Sequence, residues 1–220
     1  MQSPVPLTVQ KQHLWLSAER SVFWEEESAL IVSDLHFGKT GHFRKSGIAV
    51  PQAVFKEDIQ RLVSQIQYYR PKHLIVVGDF FHSKANKELD LFRKWRTDFT
   101  EIEIHLIKGN HDILENDWYD TCAIKLIEET MDLRGFTFIH DISCSTKINE
   151  RSASYFFSGH IHPGIRISGA GRQTLCFPCF YFGEAYAVLP AFSRFTGIAI
   201  IEPKEDEQVF AIVKNRLVKL

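Results

Sequence analysis

The sequence has little cysteine and no long apolar run, and both absences restrict its class. Only four of the 220 residues are cysteine, too few for the disulfide framework of a small secreted domain. No stretch of 18 apolar residues could span a membrane as a helix, and the first residues lack the basic start and apolar segment of a signal peptide. We therefore expect a soluble, cytoplasmic protein with no membrane contact.

Two of the cysteines, Cys176 and Cys179, have the spacing of half a zinc knuckle. A structural zinc site needs a second pair of ligands. The chain has no second cysteine pair of this spacing, and its closest histidine pair, His160 and His162, belongs to another cluster of polar residues. Reduced thiols in the core are therefore the better interpretation.

The chain also lacks an excess of charge of one sign. It has 26 lysines and arginines against 27 aspartates and glutamates, a net charge of −1, and no run of five or six like charges. The usual electrostatic signature of a nucleic-acid binder is thus missing, although folding could still assemble a local basic face. Repeats, low-complexity stretches and linkers are absent too, so we expect residues 1–220 to form a single domain.

The first half alternates between short apolar runs and helical patterns. Apolar and β-branched runs predict strands at 29–33, 73–77 and 101–107. Apolar residues at helical spacing predict helices over 51–70 and 88–99. The resulting β-α-β-α-β order favours parallel strands joined by helical crossovers.

The second half contains consecutive strand patterns and little that predicts a helix. The predicted strands are 124–129, 136–140, 153–158, 164–167, 174–182, 185–189, 197–201 and 209–213. Helices early and strands later in one core indicate two packed sheets with helices outside, an α/β (α+β) fold.

Five polar clusters stand at the ends of apolar runs. They are Asp34 with His36, Asp79, Asn110 with His111 and Asp112, His140 with Asp141, and His160 with His162. The first three follow strands directly, and ligands of α/β sheets collect beyond the carboxyl ends of the strands. We therefore expect these three clusters to converge on one edge. Together, the carboxylate, amide and imidazole groups of all five clusters suffice for two divalent metal ions, an arrangement typical of phosphate-ester hydrolases.

The order of these motifs resembles the calcineurin-like metallophosphoesterase superfamily. The resemblance implies a four-layer α/β/β/α sandwich of two mixed sheets with a binuclear centre. It also implies that Asp79 bridges the two ions and that His111 faces the substrate rather than a metal. The remaining ligands would divide into Asp34, His36 and His162 for one ion and Asn110, His140 and His160 for the other.

In such a centre two ions lower the pKa of a shared water, which attacks phosphorus in line. His111 is expected to act as general acid toward the leaving oxygen, and Asp112 to orient a neighbouring histidine. Oxygen and nitrogen ligands without thiolate favour Mn, Fe or Zn. Mn is the expected metal because the family often uses it.

Three further segments, 33–51, 78–83 and 189–197, resemble the bacterial branch of ligase-associated DNA damage response endonucleases (PdeM). This resemblance implies a nuclease acting on DNA in repair, beside a DNA ligase and helicase as possible partners. Within the first segment, Lys39, His42, Arg44 and Lys45 could bind phosphate oxygens or be a solvated loop. His82 could approach the substrate or cap a turn.

Two other functions use the same residues. The centre also suits a phosphomonoesterase or a hydrolase of nucleotide or lipid pyrophosphates, because loops around the site select the substrate. A scaffold that has lost catalysis is the third reading, although such relatives usually lack a ligand and this set is complete. His13, His73 and His105 belong to no cluster and are interpreted as structural.

Overall fold

Two β-sheets form the centre of the protein. The structure is a computed structural model that describes residues 3–39, 53–82, 87–144, 154–169 and 173–220. Its α/β architecture of two mixed sheets confirms the fold class expected from the sequence.

The first sheet has seven strands in chain order. They are β1 (Val5–Val9), β2 (Gln12–Ser17), β3 (Ser21–Trp24), β4 (Ala29–Val32), β5 (His73–Val77), β6 (Glu103–Ile107) and β7 (Ile124–Ile127). Strands β4 to β7 are parallel, and the β-α-β-α-β pattern predicted this for β4 to β6. Strands β1 to β4 pair antiparallel, and the first three of them were not predicted.

The second sheet carries nine strands. They are β8 (Thr130–Leu133), β9 (Phe136–Ile139), β10 (Tyr155–Ser158), β11 (Pro163–Ser168), β12 (Thr174–Phe182), β13 (Tyr186–Val188), β14 (Ala199–Ile200), β15 (Gln208–Val213) and β16 (Arg216–Lys219). Its main path runs β14-β11-β12-β13-β10-β9-β8, with β15 joined to β12 and β16 to β15. Strands β9 and β10 are parallel neighbours, which brings their carboxyl ends to one edge.

Alternate residues of the central strands enter two different cores. Leu74 and Val76 pack toward the helices α1 (Ala53–Tyr69), α2 (Lys87–Thr97) and α3 (Asn116–Thr121), whereas Ile75 and Val77 pack against the second sheet. Burial on both faces explains why such strands are continuous apolar runs rather than alternating ones. No helix among the described residues has both the length and the apolar character needed to cross a membrane.

The helices α1, α2 and α3, bounded among the described residues, all contribute to the core on the first sheet. In the described part of the chain no α-helix covers the outer face of the second sheet, so the fourth layer implied by the family resemblance is not seen there. That face instead carries a smaller apolar cluster from Ile165, Cys179, Val209 and Ala211. The helices of the first half are Ala53–Tyr69 and Lys87–Thr97; residues 51 and 52 of the longer predicted helix lie outside the described ranges.

Candidate metal centre

The five polar clusters all meet at the carboxyl edge of the two sheets. Asp34 follows β4, Asp79 follows β5 and Asn110 follows β6, whereas His140 follows β9 and His160 follows β10. The strand pattern predicted convergence for the first three only. The second sheet joins them because β9 and β10 run parallel and end beside the first sheet.

One group of candidate ligands consists of Asp34, His36 and His162. Nε2 of His162 lies 3.4 Å from Oδ1 of Asp34 and 3.4 Å from Nε2 of His36. Two nitrogen ligands held at about 2.1 Å from one ion in tetrahedral geometry stand about 3.4 Å apart. The spacing of these atoms therefore fits a shared divalent ion.

The second group consists of Asp79, His140 and His160, with Asn110 beside them. Nε2 of His140 lies 3.0 Å from Oδ1 of Asn110, 3.2 Å from Nδ1 of His160 and 3.6 Å from Oδ1 of Asp79. Nδ1 of His140 is 3.2 Å from the Val77 carbonyl oxygen, to which it can donate, and this leaves the Nε2 lone pair free for an ion.

Asp79 lies between the two groups. Its Oδ2 is 3.9 Å from Nε2 of His36 in the first group, and its Oδ1 is 3.6 Å from Nε2 of His140 in the second. The two oxygens of this carboxylate thus face different groups, an arrangement compatible with a carboxylate that bridges two ions through both oxygens.

The electrostatics of the site also suit cations. Burial, with smaller contributions from Lys39 and His162, lowers the pKa of His36 to about 2, so the ring is neutral and can ligate at neutral pH. Burial raises the pKa of Asp79, because its carboxylate has lost solvent without gaining enough positive charge. A divalent ion would supply that charge.

The backbone of the site is unusual at five positions of candidate ligands. Asp34, His36, Asp79, His160 and His162 all have positive φ, between 49° and 63°. Such conformations are uncommon for residues with a side chain and cluster at functional sites, where the surrounding structure enforces them.

Three glycines of the motifs let the backbone approach ligand side chains closely. A Cβ on Gly78 would lie 1.9 Å from Nδ1 of His140, and one on Gly109 would lie 2.3 Å from Oδ1 of Asp79. A Cβ on Gly159 would lie 1.8 Å from Oγ of Ser33 and 2.6 Å from Oδ2 of Asp34. Each glycine is therefore required by the packing of the site.

Three candidate substrate residues adjoin the ligands. The ring of His111 lies 5.4 Å from that of His36, and the ring of His82 lies 4.2 Å from that of His111, centroid to centroid. Lys39 is half-buried within the electrostatic reach of Asp79 and Asp34. His42, Arg44 and Lys45 lie outside the described residues.

Asp112 does not orient a histidine, contrary to the expectation from the sequence. Its side chain is fully buried, and its two oxygens accept the backbone N–H groups of Phe81 and Gly109, each at 2.9 Å. It therefore joins the loop after β5 to the loop after β6. The carboxylate beside a ligand histidine is Asp141, whose Oδ2 is 3.7 Å from Nε2 of His160.

A second set of residues holds the Asp34 loop: part of segment 189–197, for which the sequence suggested no role, and Arg20, which it did not indicate. The backbone N–H groups of Phe192 and Ser193 donate to the carbonyls of Ser33 and Asp34 at 2.7 and 3.1 Å. Arg20 in turn donates to the carbonyl oxygens of Ala191 and Ser193 at 2.9 and 2.7 Å. Because 171 or more residues separate Arg20 from these partners, no local pattern could have predicted the contact.

The pair Cys176 and Cys179 does not form a metal site. Both lie on β12, where Cys176 is exposed and Cys179 is fully buried in the cluster on the outer face. Residues three apart on a strand point to opposite faces, so the two thiols cannot bind one ion together.

Comparisons with known proteins identify a family and similar structures. The family model described as calcineurin-like phosphoesterase matches residues 28–163. The Pseudomonas putida nuclease MPE is 28% identical over 99% of this chain and 100% of its own, with a TM-score of 0.82. An Escherichia coli phosphoesterase, Yfce, is 11% identical over 87% of this chain and 97% of its own, with a TM-score of 0.44, too weak to support an argument. No curated protein matches the chain.

Proposed function

Because the chain belongs to the calcineurin-like phosphoesterase family and is thus a metal-dependent hydrolase of phosphate esters, we propose that it is a binuclear phosphodiesterase that cleaves DNA. The observation that carries the proposal is the pair of ligand groups on either side of Asp79. The likeness to a nuclease over both full chains supports a diester substrate. Mn is the metal we propose, in keeping with the oxygen and nitrogen donors.

The residues named above divide into those that hold ions and those that meet the substrate. Asp34, His36 and His162 would hold one ion, Asn110, His140 and His160 the other, and Asp79 both. Two divalent ions at such a site supply an activated water and polarise the phosphoryl oxygens. His111, His82 and Lys39 are not part of this ligand set, and we assign them to the substrate.

His111 is the residue we propose as general acid. Its ring lies beside both His36 and His82, and its backbone N–H is bonded to Asp79, which fixes its position relative to the ions. A proton given to the leaving oxygen would contribute roughly 10²- to 10⁴-fold to the rate. The ring of His82 lies against that of His111, tilted by 41°, and would limit its orientations. Lys39 would pair with a phosphate oxygen.

The first experiment compares a chromogenic phosphodiester with the matching monoester at several Mn²⁺ concentrations. Purified protein should hydrolyse the diester faster, and Asp79→Asn should lose both bound metal and activity, which excludes a contaminating phosphatase. Faster hydrolysis of the monoester would contradict the diester proposal and favour a phosphatase. Full metal content and full rate in Asp79→Asn would contradict the bridging role.

A second experiment tests DNA as the substrate. Single- and double-stranded oligonucleotides should be cut in the presence of Mn²⁺, and binding should weaken as salt rises because phosphate contacts release counterions. Lys39→Gln should weaken binding, whereas Lys72→Gln, at an exposed position before β5, should not. Absence of binding to either form at low salt would contradict DNA as substrate, while the diester assay would still report on the centre. Association with a DNA ligase or helicase stays an expectation from the resemblance, and a place in the cytoplasm stays an expectation from the sequence.

A further inference from the structure

A second cluster of metal-ligating side chains lies at the opposite edge of the first sheet. His73 is the first residue of β5, and Glu103 and His105 lie at the start of β6. In the parallel register His73 is the partner of Glu103 and Ile75 that of His105. Since side chains alternate along a strand, all three project from the same face of the sheet.

The three side chains are close enough to share one ion. Oε2 of Glu103 lies 3.9 Å from Nδ1 of His73 and 3.6 Å from Nε2 of His105, and one ligand atom from each residue lies within 4.8 Å of the others. Three atoms within that separation share a point no farther than about 2.8 Å from each. Zinc binds these donors at about 2.0–2.2 Å, so shifts of less than about 1 Å would complete the site.

The chemistry of the donors also suits a transition metal. Two imidazoles and one carboxylate, with water in the remaining position, form a common ligand set for Zn²⁺. Glu103 is half-exposed, so its carboxylate can turn toward an ion.

One neighbouring group opposes the ion. Nζ of Lys125, on β7, donates to Oε2 of Glu103 at 2.6 Å. The lysine side chain is exposed and can move away, since exposed ion pairs of this kind contribute little to stability. Lys125 therefore lowers the metal affinity of the cluster without blocking it.

We propose that His73, Glu103 and His105 form a separate Zn²⁺ site that links β5 to β6. It lies at the amino ends of these strands, whereas Asp79 and Asn110 follow their carboxyl ends. Five residues of extended chain separate the two places, about 16 Å. The ion would hold the two strands together and would not take part in hydrolysis.

The test is the number of zinc ions bound per chain, measured by elemental analysis after equilibrium dialysis. The wild-type protein should hold one more zinc than His105→Ala and than His73→Ala. The matched control is His13→Ala, which removes an exposed histidine paired with Glu26 at 2.6 Å on the same sheet and should bind the wild-type number. Equal zinc content in all four proteins would overturn the proposal.

Lys125→Gln should have the opposite effect on zinc binding to the histidine variants. Removing the competing ammonium should lower the Kd for this zinc by roughly two- to fivefold, and an unchanged or weaker affinity would contradict the site. Hydrolysis should be the same in His105→Ala and wild type. The difference in zinc content between wild type and His105→Ala depends only on this cluster. It can therefore be measured even if the candidate centre were to bind fewer than two ions.

Discussion

The backbone N–H of His111 donates a hydrogen bond of 2.9 Å to Oδ1 of Asp79. This contact joins the loop after β6 to the proposed bridging ligand. Because it uses the backbone, the imidazole of His111 takes no part in it and can face the substrate. A mutation at this position can therefore remove the imidazole while it keeps the backbone hydrogen bond to Asp79.

His111→Ala should therefore keep its metal and lose rate. The backbone N–H at this position remains in the variant and can still bond Asp79, so metal content should match the wild type. Turnover of a diester with a poor leaving group should fall by about 10²- to 10⁴-fold. A diester with a good leaving group needs less protonation and should be affected less. Equal losses on both substrates would argue against the general-acid role.

Asp112→Asn should destabilise the fold. Burial raises the pKa of Asp112 to about 7, so at pH 8 the ionised form, which accepts both backbone N–H groups, is the main one. An asparagine side chain must turn its NH₂ toward one of these donors, which should lower the free energy of unfolding by about 1–3 kcal/mol. Urea denaturation at pH 8 measures this loss. The control is Asp120→Asn, at an exposed position. If Asp112→Asn lowers the free energy of unfolding no more than this control does, Asp112 does not stabilise the contact between the loops after β5 and β6.

Gly159→Ala should weaken metal binding by displacing Asp34. The new Cβ would lie 1.8 Å from Oγ of Ser33 and 2.6 Å from Oδ2 of Asp34, so Asp34 must move. Disturbing groups that orient a ligand typically costs about 10- to 100-fold in metal affinity, which Mn²⁺ titration would detect. Gly197→Ala, with no atom within 4 Å of its Cβ, should bind Mn²⁺ as the wild type does. Equal affinity in the two variants would show that the close approach of Gly159 is not needed.

Arg20→Gln should weaken metal binding from a distance. Its guanidinium holds the carbonyls of Ala191 and Ser193, and this loop positions Ser33 and Asp34 through backbone hydrogen bonds. We expect a lower Mn²⁺ affinity together with a free energy of unfolding reduced by about 1–3 kcal/mol, because buried acceptors lose their donor. Arg216→Gln on the exposed terminal hairpin is the control. A loss of stability with unchanged Mn²⁺ affinity would mean that Arg20 supports the fold but does not position Asp34.

Local sequence pattern predicted the parallel half of the fold well. The helical stripe of Leu89, Phe92, Trp95 and Phe99 packs on the first sheet as expected, because burial of one helix face is encoded at a spacing of three to four residues. The same reasoning missed β1 to β3, β8, β16 and α3. These elements are four to six residues long, and tertiary pairing stabilises such short segments more than their own pattern does.

The sequence by itself determined the inventory of the site: which carboxylate, amide and imidazole groups exist and that several follow strands. Those facts are local, since a strand, its end and the next polar residue are adjacent in the chain. The family resemblance implied that His140, His160 and His162 meet Asp34 and Asp79, but within this chain the contact between the two sheets is made only by the tertiary structure. It likewise decided that Arg20 supports Asp34 and that His73 and His105 face Glu103. Strand order, register and loop contacts join residues far apart in the chain, and no spacing within the sequence specifies them.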